Sequence, residues 1–573
     1  MLNKNYKLVL FVFVSAGLWY LAWPPGYFPL LMSIFLIPIL GLIDPNFNAW
    51  GLSHSKTNIF IWVFLYFLLA NAFILGWISK VSLSAALVAI LVATSLQTGV
   101  ITFLRWAWTN PKNKFSITLG SLSFIGLWVI SELAREYIFS FPWINLGFGL
   151  SNLVPLIQWY EFTGVYGGTI WILGLNLLGY DVCKWIIHSN AFKKTDSKFH
   201  SKSFILKLIL YLSFGLIPVL YSIVRYETYS DYRNHLTYEG NHHLVNLAVI
   251  QSNLNPRSAV KLNSKNPSQI QDFMKLSSSK VKVNTEIILW PETLLDSDKG
   301  INEDSLSENQ DISLIKEFLF PYKNASIISG AVTYLPSRNK SHDTSWYNSA
   351  LEIQNGIDIS IYHKQILVPG VEKSPFSFPT QKTRFNFLSP SQQHSLVLLG
   401  QNSQNQKTSY QSTSISPFMY LGGLRHYFSE DGSPKVLFTQ SGLGIGVLIC
   451  FESVFSDYAR KRVLEGAGLL VTLSNDAWWG SSAGTFQHRD YAKILSIENR
   501  RPFAQASNGG ISFLINPLGQ ITEELPVGKI CALNGDLEIK EEISFYTRYG
   551  NWVLYFAWFN FLAGFIYLKL GGK

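Results

Sequence analysis

The hydrophobic residues divide the chain into three parts. From residue 1 to about 226, long apolar runs are joined by short polar connectors. From 244 to about 540 the apolar runs are much shorter and alternate with polar stretches, and a last long run covers 550–570. Because roughly 20 apolar residues are needed to cross the hydrocarbon core of a bilayer, the long runs predict membrane-spanning helices.

The pattern predicts about eight spans, seven before the short-run region and one after it. They are 7–23, 27–43, 58–78, 83–104, 117–139, 162–183, 204–225 and 550–570. The first is similar to a secretory signal peptide, because Lys4 and Lys7 precede an apolar core. However, Trp23-Pro24-Pro25-Gly26 follows it, where cleavage would need a small-x-small motif, so we interpret it as a retained span.

The positive charges of the connectors predict the orientation of the spans. With the N-terminus in the cytoplasm, the basic connectors are all cytoplasmic: those with Lys56, with Arg105, Lys112 and Lys114, and with Lys184, Lys193, Lys194, Lys198 and Lys202. The opposite connectors carry little positive charge beyond Lys80, as the positive-inside rule requires. Seven spans therefore place residues 226–549 outside the cytoplasm, and the eighth returns the tail.

The short apolar runs predict an α/β domain. The expected strands are Leu244–Gln251, Thr285–Trp290, Ala325–Val332, Tyr347–Ile353, Ile359–Ile366, Leu443–Cys450, Leu469–Leu473, Phe503–Ser507 and Ile511–Ile515. Several are almost continuously apolar, which is typical of strands buried on both faces. Helical stretches at Asp457–Glu465 and Thr485–Arg500 separate some of them, which favours layered α/β architecture. The expected domains are therefore 1–226, 244–540 and the helix 550–570.

Composition supports this division and narrows the function. Hydrophobic residues make up 48% and charged residues 14% of the chain, against about 25% charged in soluble domains. The net charge of +9 lies in short connectors between apolar runs, so topology explains it better than nucleic-acid binding. The three scattered cysteines, Cys183, Cys450 and Cys531, disfavour a disulfide framework or a zinc site.

Three segments allow two interpretations each. Residues 389–416, rich in Ser and Gln, form an expected flexible insertion that is either a lid or a surface loop. Glu132, Arg135 and Glu136, near the outer end of the fifth span, are either interfacial anchors or part of a polar pocket. The amphipathic segment Phe139 to Tyr160 lies along the interface or folds over a lipid-facing cavity.

Chemically useful residues follow several predicted strands. Cys450 ends the run Gly444–Ile449, and although a free cysteine usually only packs, a strand end can aim it into a cleft. Glu292 follows Trp290-Pro291, where proline ends a strand, and Lys364 follows another apolar run. A thiol nucleophile needs a base, and its tetrahedral intermediate needs a positive charge or N–H donors. Glu292 and Lys364 supply these groups, whereas we interpret His488 as a helix-face residue.

These contexts together resemble a known family. Glu292, Lys364 and Cys450, in that order, are similar to the Glu-Lys-Cys triad of the nitrilase superfamily, and spans on both sides of such a domain resemble the apolipoprotein N-acyltransferase family. The matching motifs are Trp290-Pro291-Glu292-Thr293, Lys364 with Val368-Pro369 and Glu372, Cys450-Phe451-Glu452, Asn475-Asp476-Ala477-Trp478-Trp479-Gly480 and Phe141-Pro142-Trp143. The resemblance covers nearly the whole chain and implies a four-layer α-β-β-α sandwich.

The resemblance also implies a role for each site residue. Glu292 is the general base, Lys364 stabilises the oxyanion and Cys450 forms a thioester. Glu372 matches a supporting glutamate, and Glu452 matches the acid after the nucleophile. Phe451 replaces the tyrosine often found there, and a tryptophan often found after the first strand is absent from 257–261.

The implied function is acyl transfer in a bacterial inner membrane, with the catalytic domain on the periplasmic side. A phospholipid donates the acyl chain, and the α-amine of a diacylglyceryl-cysteine on an apolipoprotein accepts it. We expect a monomer that needs no metal or other cofactor and binds no nucleic acid. Two alternatives are a membrane-tethered amidase acting on a small C–N substrate and a transporter with an outer solute-binding domain, which would need intramembrane charges along a path.

Overall fold

The described part of the chain contains a helical region and an α/β region. The computed structural model describes residues 4–47, 59–109, 114–191, 197–236, 244–254, 268–295, 299–336, 344–356, 358–369, 371–372 and 436–570. The insertion expected at 389–416 lies outside these residues.

Helices α1 to α7 precede the α/β region, and α13 follows it. They are α1 (Lys4–Ala22), α2 (Ile37–Ile43), α3 (Ile59–Leu75), α4 (Leu83–Thr109), α5 (Lys114–Phe139), α6 (Tyr160–Ala191), α7 (Ser197–Leu236) and α13 (Val553–Leu570). Among the described residues, five regions are long and apolar enough to cross a membrane: Ile59–Lys80, Leu83–Thr109, Ile117–Phe139, Tyr160–Ile187 and Phe204–Tyr229. The other three expected spans correspond to shorter apolar helices at Tyr6–Ala22, Pro29–Ile43 and Val553–Lys569.

The second expected span, 27–43, is not one continuous helix. A 3₁₀ helix at Pro29–Ser33 is followed by the seven-residue α2, which has a proline in its first turn. Proline has no N–H to donate, so it is tolerated where a new helix begins. The backbone between the two helices bonds to Asn176 of α6, which accepts from Leu36 N and donates to Met32 O, both at 2.8 Å. Such partners are required where a helix is interrupted at membrane depth.

The first sheet of the α/β region has seven strands. These are β1 (Leu244–Gln251), β2 (Thr285–Leu289), β3 (Ile301–Asn302), β4 (Ser326–Leu335), β5 (Ser345–Ile353), β6 (Ser360–His363) and β13 (Cys531–Glu538), in the order β13-β1-β2-β4-β5-β6 with β3 beside β4. The neighbours β1, β2 and β4 are parallel, and β3 is parallel to β4, whereas β13, β5 and β6 pair antiparallel with their neighbours.

The second sheet has six strands, with three parallel strands at its centre. They are β7 (Leu437–Phe438), β8 (Gly444–Ile449), β9 (Leu469–Asn475), β10 (Phe503–Asn508), β11 (Phe513–Ile515) and β12 (Ile521–Glu524), in the order β12-β11-β10-β9-β8-β7. Strands β8, β9 and β10 are parallel, so their carboxyl ends meet at one edge. Cys450 follows β8 at this edge.

Three apolar cores define four layers, which confirms the expected α-β-β-α sandwich. One core lies between the two sheets. A second lies between the first sheet and helices α8 (Ser268–Ser278) and α9 (Gln310–Leu319), and a third between the second sheet and helices α10 (Ser456–Leu464) and α11 (Ala483–Asn499). The short helix α12 (Phe545–Tyr549) leads into α13.

The sandwich contacts one end of the helical region. Arg500, just after α11, forms a buried ion pair with Glu161 at the start of α6 (Nε–Oε2, 2.7 Å). Glu498 accepts a hydrogen bond from Val165 N at 2.7 Å, where α6 kinks at Gly164 with φ +63°. The end of α6 touched here is the one that the loop charges predicted to face the α/β domain.

Candidate active site

Cys450 lies on a strained turn at the end of β8. Its φ is +50°, the left-handed region that costs a non-glycine residue roughly 1–2 kcal/mol. Glu452 Oε2 accepts from Ile449 N at 2.7 Å, and Ser453 Oγ donates to Cys450 O at 2.7 Å. These bonds hold the turn, and the thiol residue is only 8% exposed.

Glu292 reaches the site from the end of β2. The next residue, Thr293, also has φ +50°, and the turn lies directly against β4. A Cβ at Gly330 of β4 would be 2.4 Å from the Cα of Glu292, so only glycine allows this approach. The turn is bonded to the same glycine, since Gly330 N donates to Pro291 O at 3.1 Å.

Lys364 follows β6 and lies between two glutamates. Its N–H donates to Asn348 O of β5 at 2.7 Å, which continues the strand pairing past His363. Its ammonium Nζ is 3.1 Å from Glu292 Oε1 and 2.9 Å from Glu372 Oε1. The lysine is only 1% exposed, so the two carboxylates compensate a charge that water cannot reach.

The pKa values of both Lys364 and Cys450 are raised, which keeps the lysine charged and the thiol neutral. Burial alone would lower the pKa of Lys364, but Glu292 and Glu372 outweigh it and hold that pKa above its usual range. Burial raises the pKa of the Cys450 thiol, the charge of Glu292 raises it further, and Lys364 only partly opposes them. The lysine is therefore a permanent cation and the resting cysteine a neutral thiol, so nucleophilic attack requires a base.

Glu372 and Asn348 hold Lys364 and Glu292 together. Asn348 Nδ2 donates to Oε1 of Glu292 at 2.8 Å and to Oε1 of Glu372 at 2.9 Å. Glu372 is fixed in its turn by Val368 N, which donates to Oε2 at 2.8 Å. The result is a buried cluster of two carboxylates with one ammonium and one amide between them.

Glu452 joins the lysine loop to the nucleophile turn. It accepts from Gln365 N and Ile366 N at 2.6 and 3.1 Å, and the hydroxyl of Tyr362 donates to both its oxygens. Burial raises its pKa, an effect opposed by Arg462 and by these donors. Because its oxygens are occupied by four donors, including Ile449 N, Glu452 orders the two loops that carry Lys364 and Cys450.

Phe451 marks the boundary between two apolar cores. Cys450 belongs to the core between the sheets, whereas Phe451 belongs to the core of the helical region. Its ring stacks on Trp143 with centroids 6.3 Å apart and meets Phe455 edge-on at 5.4 Å. Phe451 thus packs against the membrane side through its ring, and Cys450 lies where the two regions join.

Two family descriptions match this chain in the order of its two regions. Residues 15–178 match "Apolipoprotein N-acyltransferase N-terminal domain", and residues 246–530 match "Carbon-nitrogen hydrolase". The apolipoprotein N-acyltransferase of Vibrio parahaemolyticus is 24% identical over 526 residues, covering 89% of this chain and 85% of that protein. This chain belongs to the apolipoprotein N-acyltransferase family.

A second relative covers almost the whole chain. The apolipoprotein N-acyltransferase of Chlorobaculum tepidum is 23% identical over 565 residues, covering 96% of this chain and 93% of that protein. Among solved structures, a carbon-nitrogen hydrolase from Helicobacter pylori G27 aligns with 56% of this chain and 95% of its own, at 14% identity and a TM-score of 0.33.

The polar residues of the fifth span form a buried network in this acyltransferase-family chain. Glu132 accepts from Trp128 Nε1, Leu146 N and Thr169 Oγ1 at 2.8 to 3.1 Å. Arg135 donates to Asn145 Oδ1 at 2.8 Å, and Tyr166 donates to Glu136 Oε2 at 2.5 Å. Of the two interpretations, the polar pocket is correct. These bonds tie the 141–150 segment to α5 and α6.

The segment between the fifth and sixth spans is buried and does not lie flat on the interface. Trp143, Leu146 and Phe148 are fully or almost fully covered. The indole of Trp143 packs at 5.0 Å from that of Trp77 and at 5.7 Å from that of Trp479. This segment therefore forms the membrane-side wall next to the nucleophile.

Sequence reasoning missed Asn348 and the partners of His488. Asn348 lies in the middle of β5, where nothing in its neighbourhood marks it as special. His488 lies on α11 as expected, but its Nε2 is 3.3 Å from Cys450 O and its Nδ1 is 3.3 Å from Asp476 Oδ1. The signal for Asp476 was present in the motif that begins at Asn475, although that motif gave no hint of its partner.

Proposed function

We infer that this chain N-acylates lipoproteins at a bacterial membrane, and that it does so through a thioester on Cys450. Lipoprotein N-acylation agrees with the names of the relatives that cover most of the chain. The site offers what such chemistry needs: a thiol, a carboxylate beside it and a permanent cation.

In the first half-reaction, we propose that a phospholipid donates the acyl chain. Glu292 removes the thiol proton as the Cys450 sulfur attacks the ester carbonyl carbon. Lys364 stabilises the oxyanion of the tetrahedral intermediate. The C–O bond then breaks, the lysophospholipid oxygen takes the proton from Glu292, and the acyl group remains on sulfur as a thioester.

In the second half-reaction, the α-amine of a diacylglyceryl-cysteine attacks the thioester. Glu292 accepts a proton from the amine as the new C–N bond forms. The C–S bond then breaks, and the sulfur recovers a proton. The enzyme returns to its starting state, so the two half-reactions form a ping-pong cycle in which one carboxylate serves both.

The observation that carries this proposal is the place of the nucleophile. Cys450 contributes to the inter-sheet core, while the next residue packs among the apolar side chains of the helical region. Buried Glu292 and Lys364 are close enough to Cys450 for their charges to act on its thiol. A site for a soluble amide would not need a membrane-side wall, whereas a lipid ester reaches the thiol directly from the bilayer.

The same reasoning gives the arrangement of the chain in the cell. We propose a helical domain at 1–226, a catalytic domain at 244–540 and a final membrane helix at 550–570. The catalytic domain faces the periplasm from the inner membrane, because the basic connectors lie at the opposite ends of the helices. We propose that the enzyme acts as a monomer.

The test uses intact-protein mass spectrometry after exposure to phospholipid vesicles. The wild type is expected to gain the mass of one acyl chain, and Cys450→Ala to gain none. Cys531→Ala is the matched control, since Cys531 lies in edge strand β13 and should leave the adduct unchanged. An adduct of normal yield on Cys450→Ala would place the nucleophile elsewhere.

The amidase alternative is separated by the acceptor. Wild-type acyl-enzyme mixed with a diacylglyceryl-cysteine peptide is expected to lose its added mass as the peptide gains it. Hydrolysis of small amides at a comparable rate, with no transfer to the peptide, would favour the amidase instead.

A further inference from the structure

One helix touches both the membrane helices and the nucleophile turn. Helix α11 lies on the second sheet, and from Gln487 to Asn499 every residue except Arg489 is buried. A helix that only covers a sheet keeps an exposed face. The contacts of three neighbouring α11 residues explain why this one does not.

Gln487 fixes α11 to the membrane side. Its Oε1 accepts from the indole Nε1 atoms of Trp143 (2.6 Å) and Trp77 (3.1 Å). Its Nε2 donates to the carbonyl oxygens of Pro24 (2.9 Å) and Ile74 (3.4 Å). All four hydrogen-bonding positions of this buried amide are therefore used on segments of the helical region.

Tyr491 makes a second attachment one turn later on the same face. Its hydroxyl donates to Trp143 O at 2.8 Å and accepts from Trp23 Nε1 at 3.2 Å. Its ring stacks on Phe148 with centroids 4.3 Å apart. Two attachments a turn apart fix both the position and the rotation of the helix.

His488, next to Gln487, faces the nucleophile turn. Its Nε2 is 2.6 Å from Ser453 Oγ and 3.3 Å from Cys450 O. The Ser453 hydroxyl also donates to Cys450 O at 2.7 Å, so the imidazole, this hydroxyl and the carbonyl form one cluster. The imidazole thus supports the carbonyl of the left-handed residue that carries the thiol.

Asp476 holds the other side of the imidazole. Its Oδ1 is 3.3 Å from His488 Nδ1, and Ser474 and Ser507 donate to its two oxygens at 2.5 and 3.1 Å. Both Asp476 and His488 are buried, so water does not compete with these bonds. The nucleophile turn is therefore connected to the ends of β9 and β10 through one histidine.

We propose that His488 is a positioning residue for Cys450, and that α11 sets the place of the thiol relative to the membrane. The inference rests on the proposed function, because only a membrane-held donor makes that place matter. Gln487 and Tyr491 fix α11 against the helical region. His488 then couples the position of this helix to that of the turn that carries Cys450. A small soluble ester needs only a correctly oriented thiol. A phospholipid also needs the thiol at the right distance from the membrane.

The test compares two acyl donors on the full-length protein. p-Nitrophenyl acetate acetylates Cys450 and releases p-nitrophenolate, and phosphatidylethanolamine vesicles supply the membrane donor. The variants are Gln487→Leu, Tyr491→Phe, His488→Ala and His488→Gln. Ser496→Ala is the control, since, within the described part of the chain, its buried hydroxyl bonds only to Ala492 O of its own helix at 3.2 Å.

Gln487→Leu and Tyr491→Phe are expected to keep p-nitrophenyl acetate rates within about 2-fold while phospholipid acylation slows by about 10-fold or more. His488→Ala is expected to slow both reactions by about 100-fold, because the thiol itself is misplaced. His488→Gln should recover much of both rates, since its amide nitrogen can donate to Ser453.

Two results would overturn the proposal. If Gln487→Leu and Tyr491→Phe slow both donors equally, the contacts are merely structural. If His488→Ala leaves the p-nitrophenyl acetate rate unchanged, His488 does not position the thiol. Failure of the proposed function looks different, since the wild type would then react with p-nitrophenyl acetate and not with phospholipid. That result refutes the role of α11 in setting the distance of the thiol from the membrane. The p-nitrophenyl acetate rates of the His488 variants still test whether His488 positions the thiol.

Discussion

The reactivity of Cys450 is set by burial and by two charged neighbours, Glu292 and Lys364. Burial and the charge of Glu292 raise the pKa of the thiol, and Lys364 acts against them. The thiolate is the reactive form of cysteine. A buried neutral thiol beside a carboxylate is therefore inert until a substrate carbonyl arrives.

Replacing Glu292 is expected to make the thiol easier to ionise even though it stops catalysis. In Glu292→Gln the pKa of Cys450 falls, because the negative charge that raised it is gone. The midpoint of iodoacetamide alkylation against pH should therefore move to lower pH, as followed by mass spectrometry, while acyl transfer from phospholipid is lost. Lys364→Met should move the midpoint to higher pH, and a shift of either variant in the opposite direction contradicts this account.

Asn348 is expected to be as important as its two carboxylate partners. Asn348→Leu removes both donations to Glu292 and Glu372, which lets the base move from the thiol. Misplacement by about 1 Å can cost about 100-fold in rate, so phospholipid acylation of Cys450 should slow by about that much. Asn534→Leu is the control, because Asn534 donates to Asn246 and Thr285, away from the site. Equal acylation rates in the two variants would show that Asn348 does not hold Glu292 in place for the reaction.

At the scale of elements, the ends of strands position the reactive side chains, and neighbouring strands limit how far the turns at those ends can move. Glu292 follows β2, Lys364 follows β6 and Cys450 follows β8. Two of these turns contain a residue with φ near +50°. The turn after β2 has almost no room to move, because it lies against Gly330.

Gly330→Ala is expected to displace Glu292. The new methyl would meet the Glu292 backbone, and such overpacking typically costs about 1–3 kcal/mol. We expect a lower melting temperature and at least a 10-fold slower acylation of Cys450. Gly99→Ala is the control, since a Cβ there meets nothing within 4 Å. Normal acylation by Gly330→Ala would show that the turn tolerates a shift.

At the scale of the whole molecule, a buried acid between the two sheets ties stability to pH. Glu352 of β5 is fully buried, and burial raises its pKa from 4.5 to about 7, with Gln354 and Ser326 acting against that rise. Between pH 4.5 and 7 the folded protein thus binds more protons than the unfolded chain. Stability therefore falls as pH rises through this window and levels off above it.

Glu352→Gln should remove this pH dependence. The variant is expected to match the wild type near pH 4.5 and to exceed it at pH 8 by on the order of 3 kcal/mol, from about 1.4 kcal/mol per pKa unit. Thermal unfolding in detergent at several pH values measures the effect. The exposed Glu523→Gln serves as the control. A wild type equally stable at pH 5 and pH 8 would contradict the prediction.

Local patterns were enough to predict much of the molecule. Strand-length apolar runs predicted nine strands that the structure contains, with ends shifted by a few residues. Strand-end motifs singled out Glu292, Lys364 and Cys450, because a polar residue after a buried run is visible in the sequence itself. Charges between the spans indicated which end of the bundle meets the α/β domain, since that rule needs only loop positions.

Tertiary structure decided what depends on residues far apart in the chain. Strand β13 has a mixed pattern, and it forms because β1, almost 300 residues earlier, offers it an edge. Asn348 matters only because the folding of β5 brings it between two glutamates, and His488 only because α11 lies behind the nucleophile turn. Such contacts depend on packing between elements, and neither periodicity nor local motif carries that information.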